Sequence, residues 1–420
     1  MKKAIKIIVL GIFLVMTMIV GWTTYQFNTY KPRAISKAIN PENLTYFKGT
    51  YLDCRKSFLD EAQKQKDLYK GVEISYLPVE SNIDPDLNID YCYIPAQTSL
   101  NRLFIMTSAV HGVEGYAGSA VQQMFLREII KDINLDEMGV LIIHAINPFG
   151  FKNYRRVTEN NVDLNRNCSE ESDLYLSENK GYDELNSFLN RKQKVSLTSF
   201  GDFFFPINAI QKILKYSMGT LRQAVLQGQY QHEKGVYYGG QDLEPSIKAV
   251  TPLIQQIAEN YKLVFSIDLH TGYGENGTLH LFPSPLKDEK KKAKIESVFS
   301  GSRIDWGDSD DFYTVTGDFT SFLGRALPEK DYLTMTFEFG TLDTQTTMGS
   351  IKALHNVMAE NQGIHYGYKT RKDEIKVKSR FLEGYYPSSE AWRSKVIEDS
   401  RSVLSQALKK YAKIIAKDEP

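Results

Sequence analysis

Apolar positions along this chain form one long block and then two alternating rhythms. Met1-Lys2-Lys3-Ala-Ile-Lys6 opens onto a run at 7–22 with no charged residue. A bilayer span needs about 20 apolar residues. Ala4 and Ile5 lengthen the run, and Lys6 can reach back to the interface. Trp22, Tyr25 and Phe27 follow in the manner of an interfacial aromatic belt. A positive start suits a signal peptide and a signal anchor alike. No small-x-small cleavage site follows and no lipidation cysteine is near, so 1–30 is read as an uncleaved membrane anchor. Lys2, Lys3 and Lys6 place the N-terminus in the cytoplasm and the rest outside it, periplasmic or extracellular. The domain would be secreted if the segment were cleaved. Lys31 and Arg33 on the far flank act against that orientation.

Beyond the block, helical and strand periods alternate. Helical spacing predicts a helix over 51–69 and strands near 72–79 and 90–95. The short apolar run at 102–108 is a third strand. Helical periodicity resumes at 115, and 140–146 reads as a buried strand broken by Asn147-Pro148. Residues 168–250 are mostly helical and polar, with an aromatic cluster at Phe203-Phe-Phe-Pro206, and read as an insertion. Strands follow at 263–270, 279–283 and 332–340, with a charged helix at 288–298. The remainder is helical, ending in 388–416. Strands alternating with helices predict an α/β fold whose sheet is mixed or largely parallel and covered on both faces. The expected parts are 1–30, an N-terminal part of the main domain at 31–100, a core at 101–370 containing the insertion, and a helical extension at 371–420.

Composition narrows the classes without choosing among them. At 420 residues with 42% apolar content, the chain can bury a full α/β core. Lys+Arg and Asp+Glu balance at 51 each, so no broad field points to nucleic acid. Cys54, Cys92 and Cys168 lack metal-type spacing. One Cys54–Cys92 bridge is compatible with an oxidising compartment, and the odd count leaves a thiol over.

The chemistry lies at the ends of the strands, where open α/β sheets build their sites. His111-Gly-Val-Glu114 offers an imidazole and a carboxylate three apart, a spacing that aims both to one side. A hydrolytic zinc site takes three protein ligands and leaves a fourth position for water. His270 closes the apolar strand Ser266-Ile-Asp268-Leu-His270. Of the seven histidines, only His111 and His270 sit at such junctions, whereas His144 reads as a core residue. The loop at 147–167 carries Arg155, Arg156, Asp163, Asn165 and Arg166. Guanidinium forks suit carboxylates and developing oxyanions. Glu338 lies between Phe337 and Phe339, so strand alternation turns it away from the side the phenylalanines face. Beside an activated water, a partly buried glutamate can serve as general base.

Taken in order, His111-x-x-Glu114, Asn147-Pro-x-Gly-Phe, Arg156, Val-Asp163-x-Asn165-Arg166-Asn167, His270 and Phe-Glu338 resemble the zinc carboxypeptidase superfamily. That superfamily includes succinylglutamate desuccinylase and aspartoacylase. The likeness covers about 101–343 and is nearest to a bacterial branch of carboxypeptidase-like proteins. It implies a three-layer α/β/α fold around a mixed, mostly parallel sheet, and one Zn2+ per chain held by His111, Glu114 and His270. Asp163 would orient a ligand histidine, and Arg156 would polarise the scissile carbonyl. Asn165 and Arg166 would hold a substrate carboxylate, with Glu338 as general base. The family's substrate-capping tyrosine has no motif here; Tyr313 is one candidate. The implied activity is hydrolysis of an amide bond next to a free C-terminal carboxylate, on a peptide or an N-acyl amino acid. Alternatives are a zinc deacylase of small N-acyl amino acids and a non-catalytic, membrane-anchored binding module.

Overall fold

Seven stretches rich in β-branched and aromatic residues form strands: β1 Glu73–Pro78, β2 Asn88–Ile94, β3 Arg102–Ser108, β4 Met138–Ile143, β5 Leu263–Gly272, β6 Leu279–Phe282 and β7 Asp331–Gly340. They come from a computed structural model that describes residues 2–286, 288–306 and 315–415. The strands make one sheet in the order β1-β2-β4-β3-β5-β7-β6. Its four central strands are parallel. The β1–β2, β2–β4 and β6–β7 pairs are antiparallel. The sheet is therefore mixed, as expected, with antiparallel pairs at its two sides.

Both faces are covered, because successive strand residues alternate between them. Phe104, Met106, Ile267 and Met335 meet helices α2 (Tyr51–Leu68), α3 (Gly115–Met124) and, near the C-terminus, Glu390–Tyr411. Leu103, Ile105, Leu141 and Val264 meet Pro245–Ala258 and a short helix at Phe319–Ala326 that periodicity did not single out. This is the three-layer arrangement. Between β4 and β5 the chain adds Lys180–Leu189, α4 (Phe205–Tyr216) and Met218–Leu226, which share a separate core with α5 (Thr347–Tyr366). All three cysteines are buried and free, so the Cys54–Cys92 bridge is absent. Burial pushes the Cys54 and Cys92 thiols up to about 12.

The apolar block is one helix, α1 (Lys2–Thr29). Its segment Ile5–Thr29 is long and apolar enough to cross a membrane, with a mean hydropathy of 2.4. Only its last turns touch the domain. Phe27 is 2% exposed and enters the α4–α5 core.

Candidate metal centre

Parallel pairing brings the carboxyl ends of β3, β5 and β7 side by side. Thr107 pairs with Asp268, and His270 pairs with Glu338. Leaving β3, Ala109 adopts a left-handed φ of 60°, a conformation uncommon for a residue with a Cβ. The chain then turns through Gly112–Glu114 into α3. Gly112 is required there, because a Cβ would lie 2.1 Å from the Gly150 carbonyl carbon. Gly118 similarly lets α3 lie against Ser108. The turn presents His111 and Glu114, both buried, to His270.

The three side chains converge. His111 Nδ1 and His270 Nδ1 are 3.1 Å apart, and each lies 2.9 Å from a Glu114 oxygen. One ligand atom from each residue falls within a 4.8 Å cluster. The outer ring nitrogens face carboxylates: His270 Nε2 lies 2.6 Å from Asp268 Oδ2, and His111 Nε2 lies 3.1 Å from Asp163 Oδ1. An ionised carboxylate only accepts, so each partner favours a proton on Nε2 and a free lone pair on Nδ1. Two inward lone pairs and a carboxylate form a donor set that a cation satisfies.

One contact pulls the other way. Arg156 Nη2 lies 2.6 Å from His111 Nε2, and a guanidinium cannot accept. That approach is satisfied only when the proton sits on Nδ1, facing Glu114. A cation at the cluster requires the Nδ1 lone pair and so selects the tautomer that Asp163 favours.

Charge inside the cluster is closely balanced. Burial opposes ionisation of Glu114, but His111 and His270 outweigh it and hold the carboxyl below the usual range. Asp163 is likewise held low against burial by Arg156, His111 and Arg166. Burial would lower His270, yet Asp268 and Glu114 raise it well above the ordinary value. Asp268 and Glu114 thus favour the protonated imidazole, and a metal at Nδ1 would compete with that proton. Glu338 goes the opposite way. Burial and the Glu114 charge push it up to about 8, against His270, the Tyr273 N–H and Arg156. The Tyr273 N–H donates to Glu338 Oε1 at 2.8 Å and fixes the carboxyl's orientation.

The neighbouring arginines separate by role. Arg155 turns away, donating to Glu360 and Asn161 at 3.0 Å each. Arg156 faces the cluster, with Nε donating to Asp163 Oδ2 at 3.0 Å. Arg166 is 2% exposed and donates to the carbonyls of Leu226 (2.7 Å) and Asn165 (2.8 Å). Among the described residues, no carboxylate lies within ion-pair distance of it, which is unusual for a buried charge. Asn165 Oδ1 accepts from the Phe319 N–H at 2.9 Å. Tyr237, from the segment between β4 and β5, lies beneath both guanidiniums, 5.5 Å from that of Arg156 and 5.9 Å from that of Arg166. Tyr385, buried beside Arg156, approaches from the far end of the chain.

Sequence reasoning missed Asp268, Tyr237 and Tyr385. Asp268 was legible: it lies two residues before His270, so both point to one face of β5. The two tyrosines carry no local signal. Tyr313 lies outside the described residues.

The family model described as "Protein of unknown function (DUF2817)" matches residues 47–399, well over half of the chain. The chain belongs to the DUF2817 family. No curated protein matches this DUF2817 chain. Among solved structures, it is similar to bovine thrombin-activatable fibrinolysis inhibitor, there in complex with tick carboxypeptidase inhibitor. Identity is 14%, covering 76% of this chain and 98% of that one, with a TM-score of 0.43. A metallo-carboxypeptidase from Burkholderia cenocepacia is 10% identical over 76% of this chain and 70% of its own, with a TM-score of 0.40. An aspartoacylase family protein from Mesorhizobium loti is 14% identical over 72% and 69%, with a TM-score of 0.35.

Proposed function

We propose that this DUF2817 chain is a zinc-dependent hydrolase that cleaves an amide bond next to a free carboxylate. The observation that carries the reading is the His111–Glu114–His270 cluster, with both inner ring nitrogens turned to one point and the Glu338 carboxyl on the neighbouring strand. When bound, zinc supplies a Lewis acid that polarises a carbonyl and lowers the pKa of a water towards ~7.

The protein's own groups do the rest. Glu338 is the general base, oriented by the Tyr273 N–H. It takes a proton from the attacking water as the water oxygen bonds to the carbonyl carbon. It returns that proton to the amine as the carbon–nitrogen bond breaks. Arg156, steadied by Asp163, stabilises the oxyanion. Asn165 and Arg166 receive the substrate's carboxylate, which a guanidinium fork binds through paired hydrogen bonds. Asp163 and Asp268 hold the ligand imidazoles in register.

The chain stays attached to the membrane through α1, with the catalytic domain outside the cytoplasm. Phe27 supports retention of the helix up to that point, since cleavage after it would remove a ring from a formed core. Lys2, Lys3 and Lys6 support the orientation. Arg33, which acts against it, is paired with Glu275.

Metal analysis beside hydrolysis tests the reading, using peptides with free and blocked C-termini and a set of N-acyl amino acids. Glu338→Gln is expected to keep one zinc per chain and lose about 10²–10⁴-fold in turnover. Undiminished hydrolysis by that variant rejects the base assignment. Release only from N-acyl amino acids moves the activity to a deacylase.

A further inference from the structure

Between the anchor and the domain there is no free tether. Thr24 Oγ1 donates to the Phe203 carbonyl at 3.3 Å, and Phe27 packs 5.8 Å from the Phe205 ring. Tyr30 donates to the Leu342 carbonyl at 2.9 Å, and the Arg33 N–H donates to Asp343 at 2.5 Å. The segment that flanks the last turns of α1 is therefore the short helix Phe200–Phe203 with α4.

This segment is apolar on two sides. Phe205 and Ala209 are buried in the α4–α5 core. A second set, Ile207, Ile210 and Leu214, recurs along α4 at intervals of three and four, with Phe203 at the end of the preceding short helix; Ile210 is partly covered by the core. The two ends of this run are open: Phe203 is 47% and Leu214 81% exposed, and Phe200, near Phe203, is 80% exposed. Phe200 and Phe203 both pack on Phe204, with centroids 4.4 and 5.0 Å apart, so the aromatic tip is held in place. Lys215 follows Leu214 and is exposed, where a charged end can meet headgroups. Three large apolar side chains exposed in one 15-residue stretch are costly in water. The contact of this segment's backbone and of Phe205 with the end of α1 places these side chains beside an apolar helix.

We propose that residues 200–214 form a second membrane contact, an interfacial segment lying in the headgroup region beside the anchor. The occupant is the lipid bilayer that α1 crosses, so the inference rests on the anchor reading. Two contacts hold the domain, and with it the cleft, in one orientation on the membrane, where a single helix with a free linker would let it tumble.

The test uses the full chain in phosphatidylcholine–phosphatidylglycerol vesicles. Cys54, Cys92 and Cys168 are buried, so a nitroxide reacts selectively at Phe200→Cys, Leu214→Cys, Met16→Cys or Leu68→Cys. Circular dichroism confirms that each variant is folded. Power saturation with oxygen against a water-soluble nickel chelate then reports depth. The expected result is lipid-type accessibility at Met16, Phe200 and Leu214, with water-type accessibility at Leu68, an exposed site on α2. Lipid-type accessibility at Met16 with water-type at both Phe200 and Leu214 overturns the second contact and leaves the anchor standing. Water-type accessibility at Met16 overturns the anchor and the proposal with it.

Discussion

Asp268 sits two residues before His270 on β5, accepts a hydrogen bond from Thr107 at 2.6 Å, and faces the imidazole Nε2 at 2.6 Å. It does for His270 what Asp163 does for His111: it holds the outer proton and leaves the inner lone pair free. Partners of this kind are commonly worth 10–100-fold in metal affinity. Asp268→Asn is therefore expected to weaken zinc binding by about that factor while the fold survives, measured by competition with a chromophoric chelator. Unchanged affinity would mean that Thr107 and the strand alone orient the ring. At this scale the positions of His111, Glu114 and His270 were readable because each closes an apolar strand or opens a turn. The choice of Arg156 over Arg155 was not a matter of spacing. Arg155 turns away because Glu360, about 200 positions later, offers it a buried carboxylate.

Among the elements, the docking of α1 was the least readable. An apolar block at the N-terminus announces a helix apolar enough to cross a membrane, but not that its last turn belongs to the domain core. Phe27 is clamped between the Phe205 ring, the His355 ring (5.2 Å) and the Lys352 ammonium, which lies 4.3 Å over its centroid and donates to its carbonyl at 3.2 Å. Burial, helped by the Arg380 charge and opposed by Asp202, pushes the Lys352 ammonium down to about 8. Its folded value is thus below its unfolded one. Between pH 8 and 10.5 the unfolded chain binds more protons, so stability rises with pH across that window, and the full cost of the buried charge applies below it. Lys352→Met removes the slope. Relative to the variant, the wild type should gain stability on the order of 2 kcal/mol from pH 8 to 10.5. Denaturant midpoints in detergent micelles would show this, and parallel pH profiles would reject the assignment.

Across the whole molecule, the candidate centre is a meeting point of distant segments. It draws on the turn after β3, the loop at 156–166, the segment between β4 and β5 through Tyr237, the ends of β5 and β7, and Tyr385. A metal bound to the folded site and not to the open chain stabilises by mass action, about 2.7 kcal/mol at a hundredfold excess over Kd. Chelation should therefore lower the melting temperature and zinc should restore it. His270, held protonated by Asp268 and Glu114, should release about one proton as zinc binds near neutral pH. Calorimetry in buffers of different ionisation enthalpy counts that proton, and zinc affinity should fall as pH is lowered. Identical melting of chelated and zinc-treated protein would sink the metal assignment.

Local pattern alone determined the strands, the membrane-type helix and the strand-end position of His111, Glu114, His270 and Glu338. Those properties depend on side-chain period and on residues adjacent in the chain. Tertiary structure decided which strands lie side by side, and so that His270 pairs with Glu338 and Thr107 with Asp268. It also decided that Arg166 is buried, that Tyr237 underlies two guanidiniums, and that Phe27 joins the core. Each of these is a contact between segments far apart in sequence, where no local period carries information. They form only when burial of both sheet faces has brought those segments together.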